Sequence, residues 1–311
     1  MNALNRRAVF QKWIVFLLII VCCSPLIAQQ SDKILTKKLR ELVKDFKGDA
    51  GIYVHHLKKE TIVEINADTL FPTASMIKVP IMIGVMDKVE KGELKYDSLL
   101  LYRDSLLYPG DDIIGAFKDS ARIELSRVIM LSMTTSDNTG SLWLQYLAGT
   151  GIRINELLEH YGLKSTRVNS RTPGREMIRA QFGWGVTTPR EMAELVIKIR
   201  EGKIISPWAS ERMFRNMSRS YWDGFSLFEI PSYIHAAGKQ GFVDRSRSEV
   251  VCVSAPHGDY VFCVITKNQK DTSYVKENEG YVLLRNISKT LWQYFEPNDK
   301  WHSMPESMKF H

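Results

Sequence analysis

Apolar residues recur every three or four positions in several stretches of the chain, which is the spacing of an amphipathic helix. Local signals mark some of the starts: Ser31 and Asp32 are capping residues, and Pro189 suits the first turn of a helix. Residues 168–187 break the periodicity and contain four Pro or Gly residues, so they predict a long loop. Helices are predicted at about 31–46, 75–91, 125–133, 139–147, 152–161, 189–200, after Pro207, and at 279–295.

Runs of β-branched and aromatic residues predict strands at about 51–57 and 61–65, and three further strand signals follow Tyr233. A block of helices therefore separates two groups of strands. This order predicts an α+β fold in which one antiparallel sheet is interrupted by a helical insertion.

The first 28 residues have the pattern of a secretory signal peptide, with a basic start, an apolar run over 13–21, and Ala28 before a polar stretch. Because the apolar run is too short to span a bilayer, we expect cleavage after Ala28 and no stable membrane insertion afterwards. The protein is then exported, either periplasmic or secreted. A retained N-terminal anchor is the alternative, and lipid attachment at Cys22 or Cys23 is another.

The composition is that of a globular protein, with 44% hydrophobic and 25% charged residues. The formal net charge is +7, and the basic start of the leader supplies part of it. The remaining excess is too small for a nucleic-acid footprint, so we expect no nucleic-acid partner. His55 and His56 point to opposite faces of a predicted strand and cannot easily share one ion. We expect no metal, no other cofactor, and a monomer.

Two cysteines lie outside the leader, on either side of a hairpin signal. If His257 and Gly258 form a two-residue turn, Cys252 and Cys263 face each other on adjacent strands. An exported protein could oxidise such a pair, but a bridge between directly opposed cysteines is often strained. A disulfide and two buried thiols both remain open.

Ser75 and Lys78 begin a predicted helix and are three residues apart, which places both side chains on one face. A serine hydroxyl becomes a good nucleophile when a base lies within hydrogen-bonding distance, and burial can lower a lysine pKa enough to supply that base. The helix N-terminus also offers N–H groups to an oxyanion. Ser273 and Lys276 repeat the spacing, but they are interpreted as a connection from a strand to a helix.

Two further triplets of residues suit the same chemistry as Ser75 and Lys78. Ser136-Asp137-Asn138 lies in a turn between two predicted helices, and Lys239-Gln240-Gly241 lies in the first strand of the C-terminal group. Ser136 can pass a proton to a leaving nitrogen, and Lys239 can attract a substrate carboxylate. Gly241 lets a substrate backbone lie against the strand edge.

This ordered set resembles the Ser-x-x-Lys, Ser-Asp-Asn and Lys-Thr-Gly motifs of class A β-lactamases and penicillin-binding proteins. The resemblance continues through residues 71–85, 135–140 and 187–202, so it covers essentially the whole mature chain. It implies a five-stranded antiparallel sheet flanked by N- and C-terminal helices, with an inserted all-helical domain. The boundaries that follow are a signal peptide at 1–28, an α/β sandwich domain at 29–70 plus 220–298, a helical domain at 71–219 with an active-site loop at 168–187, and a tail at 299–311.

The resemblance also assigns roles. Ser75 is the acylated nucleophile, Lys78 the proton acceptor and Ser136 the proton relay, while Asn138 and Lys239 bind substrate. The oxyanion donors are the backbone N–H groups of Ser75 and Phe242. Gln240 is also expected to contact substrate, but it replaces a small hydroxyl residue of the motif and so removes one contact to the substrate carboxylate. Arg245 or Arg247 can bind that carboxylate instead; the alternative is that either is a surface charge.

The loop departs most from the family pattern. Thr172 stands where the family has the glutamate that activates water for deacylation, and Glu176 stands at the position of the loop asparagine. Glu176 either reaches the water from there, as a catalytic residue, or is a surface carboxylate. The leading hypothesis is an exported β-lactamase that opens β-lactam rings. The alternative is a D-alanyl-D-alanine peptidase or penicillin-binding protein that deacylates slowly, with a peptidoglycan peptide as substrate.

Overall fold

The computed structural model describes residues 30–110 and 112–303. The predicted signal peptide, with Cys22 and Cys23, lies outside these residues, as does most of the tail at 299–311. The described residues form nine α-helices: α1 Lys33–Val43, α2 Lys78–Glu90, α3 Leu125–Thr134, α4 Asn138–Leu147, α5 Thr150–His160, α6 Glu176–Phe182, α7 Pro189–Arg200, α8 Pro207–Met217 and α9 Glu279–Phe295. The strands are β1 Gln30–Ser31, β2 Asp49–His56, β3 Thr61–Ile65, β4 Phe71–Pro72, β5 Leu99–Leu101, β6 Arg122–Glu124, β7 Arg167–Val168, β8 Gly185–Thr187, β9 Ala236–Val243, β10 Ser246–Val253 and β11 Tyr260–Lys267.

The main sheet has the strand order β1-β3-β2-β11-β10-β9. The expected α+β fold is confirmed, but the expected number of five strands is wrong, because the two-residue strand β1 adds a sixth at one edge. Antiparallel ladders join β3, β2, β11, β10 and β9. Strand β9 is the opposite edge of the sheet, so one side of its backbone remains free for other contacts.

Both faces of the sheet are covered, since alternate residues of each strand enter different apolar clusters. Tyr53 and Val250 pack with residues of helices α2, α3, α7 and α8. Val54 and Val251 pack with residues of the terminal helices α1 and α9. Burial on both faces explains the uninterrupted apolar runs at residues 250–253 of β10 and 260–265 of β11.

Side-chain caps fix several helix starts where the sequence predicts them. The Asp32 carboxylate accepts from Leu35 N–H at 2.9 Å, and Thr188 Oγ1 accepts from Glu191 N–H at 3.1 Å directly before Pro189. Asn278 caps α9 by accepting from Gly280 N–H at 3.0 Å. Each cap satisfies an N–H group that has no partner inside the helix, which sets the first residue of the helix. None of the helices within 30–110 and 112–303 combines the length and apolarity needed to cross a membrane.

The predicted pairing of the two cysteines is wrong. Cys252 lies opposite Val261, and Cys263 lies opposite Val250. The ladder ends at the pair Val253 and Tyr260, so the loop between the strands is longer than a two-residue turn and the register moves by two residues. Both cysteines are buried free thiols.

The segment 168–187 is more ordered than the sequence predicts. It contains helix α6, and its last residues form β8, which pairs with both β4 and β7. The second Ser-x-x-Lys segment, at 273–276, lies between β11 and α9 without regular structure, as predicted.

Candidate active site

Ser75 lies on a 3₁₀ turn, Ala74–Ile77, and not on an α-helix as predicted; α2 starts only at Lys78. Residues three apart are eclipsed in a 3₁₀ turn, so this geometry stacks Ser75 directly over Lys78. The turn is held from outside, because Thr73 N–H donates to the Gly185 carbonyl at 3.0 Å. Ala74, with φ at 44°, has a left-handed backbone that a residue with a side chain seldom adopts.

Lys78 is completely buried, and its Nζ contacts four oxygen atoms. Ser75 Oγ is at 3.2 Å, Ser136 Oγ at 3.0 Å and Asn138 Oδ1 at 2.8 Å, and the Ser136 carbonyl is the fourth. Burial lowers the pKa of Lys78 to about 7, although the charges of Asp112 and Asp137 act in the opposite direction. A neutral amine in this position can donate to the carbonyl and the amide oxygens and keep its lone pair for the Ser75 hydroxyl proton.

Ser136 joins the two lysines of the site. Its Oγ accepts from Lys78 Nζ at 3.0 Å and from Lys239 Nζ at 3.1 Å. The residue has φ at 64°, a left-handed conformation on the turn between α3 and α4. Asp137 stabilises this turn, since its carboxylate caps α4 at Gly140 N–H (2.7 Å) and accepts from Ile114 N–H (2.9 Å).

Lys239 is also fully buried, on strand β9. Its pKa lies well below the usual range of a lysine, first because of burial and second because of the nearby positive charge of Lys78. Besides Ser136, its Nζ contacts the Gln240 side-chain oxygen at 2.9 Å and the Gln240 carbonyl at 3.1 Å. The Gln240 side chain, predicted to contact substrate, is thus a buried partner of Lys239.

Glu249 belongs to this electrostatic group although the sequence analysis does not find it. It is buried on β10 directly opposite Gln240, and its carboxylate accepts from Ser226 N–H at 2.8 Å. Burial raises the pKa of Glu249 to about 7, and its negative charge favours the protonated form of Lys239. Strand β10 has the sequence Ser-Arg-Ser-Glu-Val-Val-Cys-Val, so Glu249 ends a polar stretch and the sequence gives no signal that it is buried.

Gly241 packs directly against the turn that carries Ser75. A Cβ on this residue would lie 2.5 Å from the Thr73 carbonyl oxygen and 2.8 Å from Ser75 N. The absence of a side chain therefore lets strand β9 approach the turn that carries Ser75. Because the Gln240 carbonyl faces Lys239 at the free edge of β9, the N–H of Phe242 lies on that same edge two residues later. Both predicted oxyanion donors thus border one space.

The two arginines after the motif occupy different surroundings. Arg245 is exposed, and its guanidinium donates to the Gln269 carbonyl at 3.3 Å and the Asn268 carbonyl at 3.2 Å. Arg247 is fully buried between the rings of Tyr274 and Tyr281, at 4.5 and 4.8 Å from their centroids. Arg247 is therefore not a surface charge, and only Arg245 lines a cavity next to Ser75.

No described contact places either Thr172, at the position of the family glutamate, or Glu176, the proposed deacylation residue, near Ser75. Thr172 is buried, donates to the Ser170 carbonyl at 2.9 Å, and packs so closely on α5 that a Cβ on Gly151 would lie 1.8 Å from its Oγ1. Glu176 is exposed at the start of α6 and accepts from Gly174 N–H at 3.1 Å. The described contacts of Glu176 are those of a surface carboxylate.

Two open cavities meet at Ser75, and Asn138 and Phe242 line both of them. The small cavity, of about 530 Å³, is also lined by residues that the sequence analysis did not single out, among them Tyr108, Gln181, Trp184 and Lys267. The large cavity, of about 970 Å³, is also lined by Asp112, Ser136, Tyr221, Trp222, Asp223 and Tyr274. Within the described residues, no group of His, Cys, Asp and Glu side chains could hold a metal ion.

A comparison with known protein families identifies the family of this chain. The sequence pattern described as "Beta-lactamase enzyme family" matches residues 33–295, which is most of the chain. The chain belongs to the β-lactamase enzyme family. It is accordingly a serine hydrolase of β-lactam amide bonds, and the predicted resemblance to this family is confirmed.

Individual relatives share little sequence identity with this chain, although they match it over most of its length. Beta-lactamase VEB-1 from Pseudomonas aeruginosa is 22% identical over 275 residues, covering 84% of this chain and 90% of the relative. A mutant of PBP-A, solved as an acyl-enzyme complex with penicillin G, is 25% identical with a TM-score of 0.77, over 86% of this chain and 98% of that one. A class A β-lactamase from Mycobacterium abscessus shares the fold, with a TM-score of 0.75 at 18% identity, over 84% of this chain and 99% of that one.

Proposed function

We propose that this protein opens β-lactam rings by forming an acyl-enzyme on Ser75. The observation that carries the proposal is the contact of Lys78 Nζ with Ser75 Oγ at 3.2 Å, deep in a site where burial lowers the pKa of that lysine to about 7. A lysine with this pKa is partly neutral near neutral pH, so it can take up the hydroxyl proton.

The reaction follows from the order of the contacts. Ser75 Oγ attacks the lactam carbonyl carbon while its proton moves to Lys78 Nζ, and the oxyanion is bound by the N–H groups of Ser75 and Phe242. The carbon–nitrogen bond then breaks. The proton passes from Lys78 through Ser136 Oγ, 3.0 Å away, to the leaving nitrogen. Attack of water on the resulting ester would release the product and regenerate Ser75.

A second candidate is a D-alanyl-D-alanine peptidase or penicillin-binding protein that uses the same acylation steps and releases the acyl group slowly. It is favoured by the surroundings of the two loop residues: Thr172 has no basic group and is packed on α5, and Glu176 is exposed and bonded to Gly174 N–H. Its natural substrate would be a peptidoglycan peptide.

Intact mass spectrometry after mixing with benzylpenicillin separates the two candidates. A transient penicilloyl adduct with continuing consumption of the drug indicates a β-lactamase, and an adduct that persists indicates the second candidate. The Ser75→Ala variant should form no adduct in either case. Absence of any adduct on the unmodified protein at high drug concentration, together with no hydrolysis, would refute acylation at Ser75.

We further propose that the protein is exported, on the evidence of the basic and apolar pattern in its first 28 residues. Expression of the full chain in a bacterium, followed by N-terminal sequencing of the periplasmic fraction, tests this. A start at Gln29 supports cleavage after Ala28, and a full-length protein that stays with the membrane contradicts it.

A further inference from the structure

The two cavities at Ser75 hold opposite halves of a substrate, if the proposed acylation mechanism is correct. Ser136, the group that delivers the proton to the leaving nitrogen, lines the large cavity only. The leaving group must therefore extend into the large cavity. The acyl group, on the other side of the scissile bond, then extends into the small cavity. This inference rests on the proposed function.

The small cavity is lined by two cations. Arg245 lies on the turn between β9 and β10 and donates to two neutral backbone carbonyls. Lys267, at the end of β11, donates from Nζ to the Leu70 carbonyl at 2.9 Å and lies 4.7 Å from the ring centroid of Phe71. Within the part of the chain that the structure describes, neither cation forms an ion pair with a carboxylate, so both charges act on whatever enters the cavity.

Acidic residues near these cations face elsewhere. The Asp49 carboxylate accepts from Asn268 Nδ2 at 2.8 Å, and the Asp244 carboxylate accepts from the Tyr274 hydroxyl at 3.4 Å. Neither lines the small cavity, and neither does any other described Asp or Glu. The large cavity has the reverse character, because Asp112 and Asp223 line it and no described Arg or Lys does.

The remaining wall of the small cavity is suited to an apolar body that carries a charged group. Tyr108 and Trp184 meet edge to face there, with ring centroids 5.1 Å apart. These rings offer apolar surface, while a guanidinium and an ammonium group bind a carboxylate through charge-assisted hydrogen bonds. The lining is therefore complementary to an acyl chain with an apolar part and an anionic end.

We propose that the small cavity selects substrates whose acyl chain carries a carboxylate, and that Arg245 and Lys267 determine this specificity. Both residues act on binding and on the orientation of the acyl chain, and neither takes part in the bond changes at Ser75. Because both cations are near the protein surface, their attraction for the carboxylate is screened by salt.

Three penicillins that differ in one substituent on the acyl chain provide the test. Benzylpenicillin is neutral at this carbon, carbenicillin has a carboxylate there, and ampicillin has an ammonium group. The second-order rate of adduct formation on Ser75, followed by intact mass, should be greatest for carbenicillin and least for ampicillin, with a ratio of roughly tenfold at low ionic strength. Raising the salt from about 0.01 M to about 1 M shortens the Debye length from roughly 30 to 3 Å and should bring that ratio towards one.

The double variant Arg245→Gln/Lys267→Gln should also bring the ratio of carbenicillin to ampicillin rates towards one. The control Lys37→Gln removes an exposed cation from the distant helix α1 and should keep the ratio of the unmodified protein. If the double variant does not fold, the single variants and the salt series give the same comparison. Equal rates for the three drugs on the unmodified protein would overturn this inference alone, whereas no adduct with any of them would overturn the proposed function as well.

Discussion

The close approach of strand β9 to the turn that carries Ser75 predicts the effect of adding one methyl group. In Gly241→Ala, the new Cβ would lie 2.5 Å from the Thr73 carbonyl oxygen and 2.8 Å from Ser75 N, and real Cβ contacts are essentially never under 3.0 Å. Both neighbours are backbone atoms, which cannot rotate away. The strand and the turn must therefore separate by at least about 0.5 Å.

This displacement has a cost in rate and a cost in stability. A misplacement of about 1 Å in an active site can reduce the rate by roughly 10²-fold, so half of that predicts a loss of about tenfold in acylation. Overpacking of this kind costs about 1–3 kcal/mol of unfolding free energy, and each kcal/mol lowers the Tm of a protein of this size by about 2–4 °C.

Fluorescent penicillin labelling of Ser75 measures the first effect, and thermal unfolding measures the second. Gly238→Ala is the matched control: it lies on the same strand, and its Cβ would meet the Val250 carbonyl at 3.0 Å, away from the turn. The control should lose stability and keep its acylation rate. If Gly241→Ala acylates at the rate of the unmodified protein, the position of Ser75 does not depend on this contact, and the reasoning is wrong.

The acylation rate should rise about tenfold per pH unit below pH 7 and level off above it, because Lys78, with a pKa of about 7, accepts a proton only when neutral; a flat profile between pH 5 and 9 would contradict this role. Glu191→Gln should lower the unfolding free energy by about 2–3 kcal/mol in denaturant titrations, because the carboxylate accepts from the N–H groups of residues 164–166, whereas the exposed Glu201→Gln should change it little. The unfolded mature protein should react with two equivalents of a thiol reagent without prior reduction, and with none if Cys252 and Cys263 are bridged.

The parts of the fold that depend on local sequence could be predicted closely. Helix α7 and helix α9 begin and end at the predicted residues, because Thr188 with Pro189 and Asn278 define their starts. The register of a hairpin is not set by local sequence in this way, because it depends on where two strands stop pairing. His257 and Gly258 resemble a tight turn, but the ladder ends earlier, at Val253 and Tyr260, and this moved both cysteines out of alignment.

The sequence could predict which residues form the site, but not which of their side chains contact each other. Order and spacing along the chain identify Ser75, Lys78, Ser136 and Lys239, because each has a residue type that the chemistry needs. That Ser136 bridges the two lysines, or that Glu249 acts on Lys239 from the neighbouring strand, depends on how distant elements pack. Tyr108 and Trp184 gave no usable signal, since single aromatic residues in loops are common.

In the proposed mechanism, acylation and release depend on different parts of this structure. The acylation groups come from the Ser75 turn, the turn before α4, and strand β9, which contact one another directly. The family resemblance assigns the release step to the segment 168–187, and there Thr172 faces α5, where Gly151 leaves space for it. A carboxylate in that orientation would be buried, and desolvation would raise its pKa and favour the protonated acid, which cannot accept a proton from water. For the second candidate, in which release is slow, replacing residue 172 alone would not make release fast, because the backbone that directs its side chain must also turn towards Ser75.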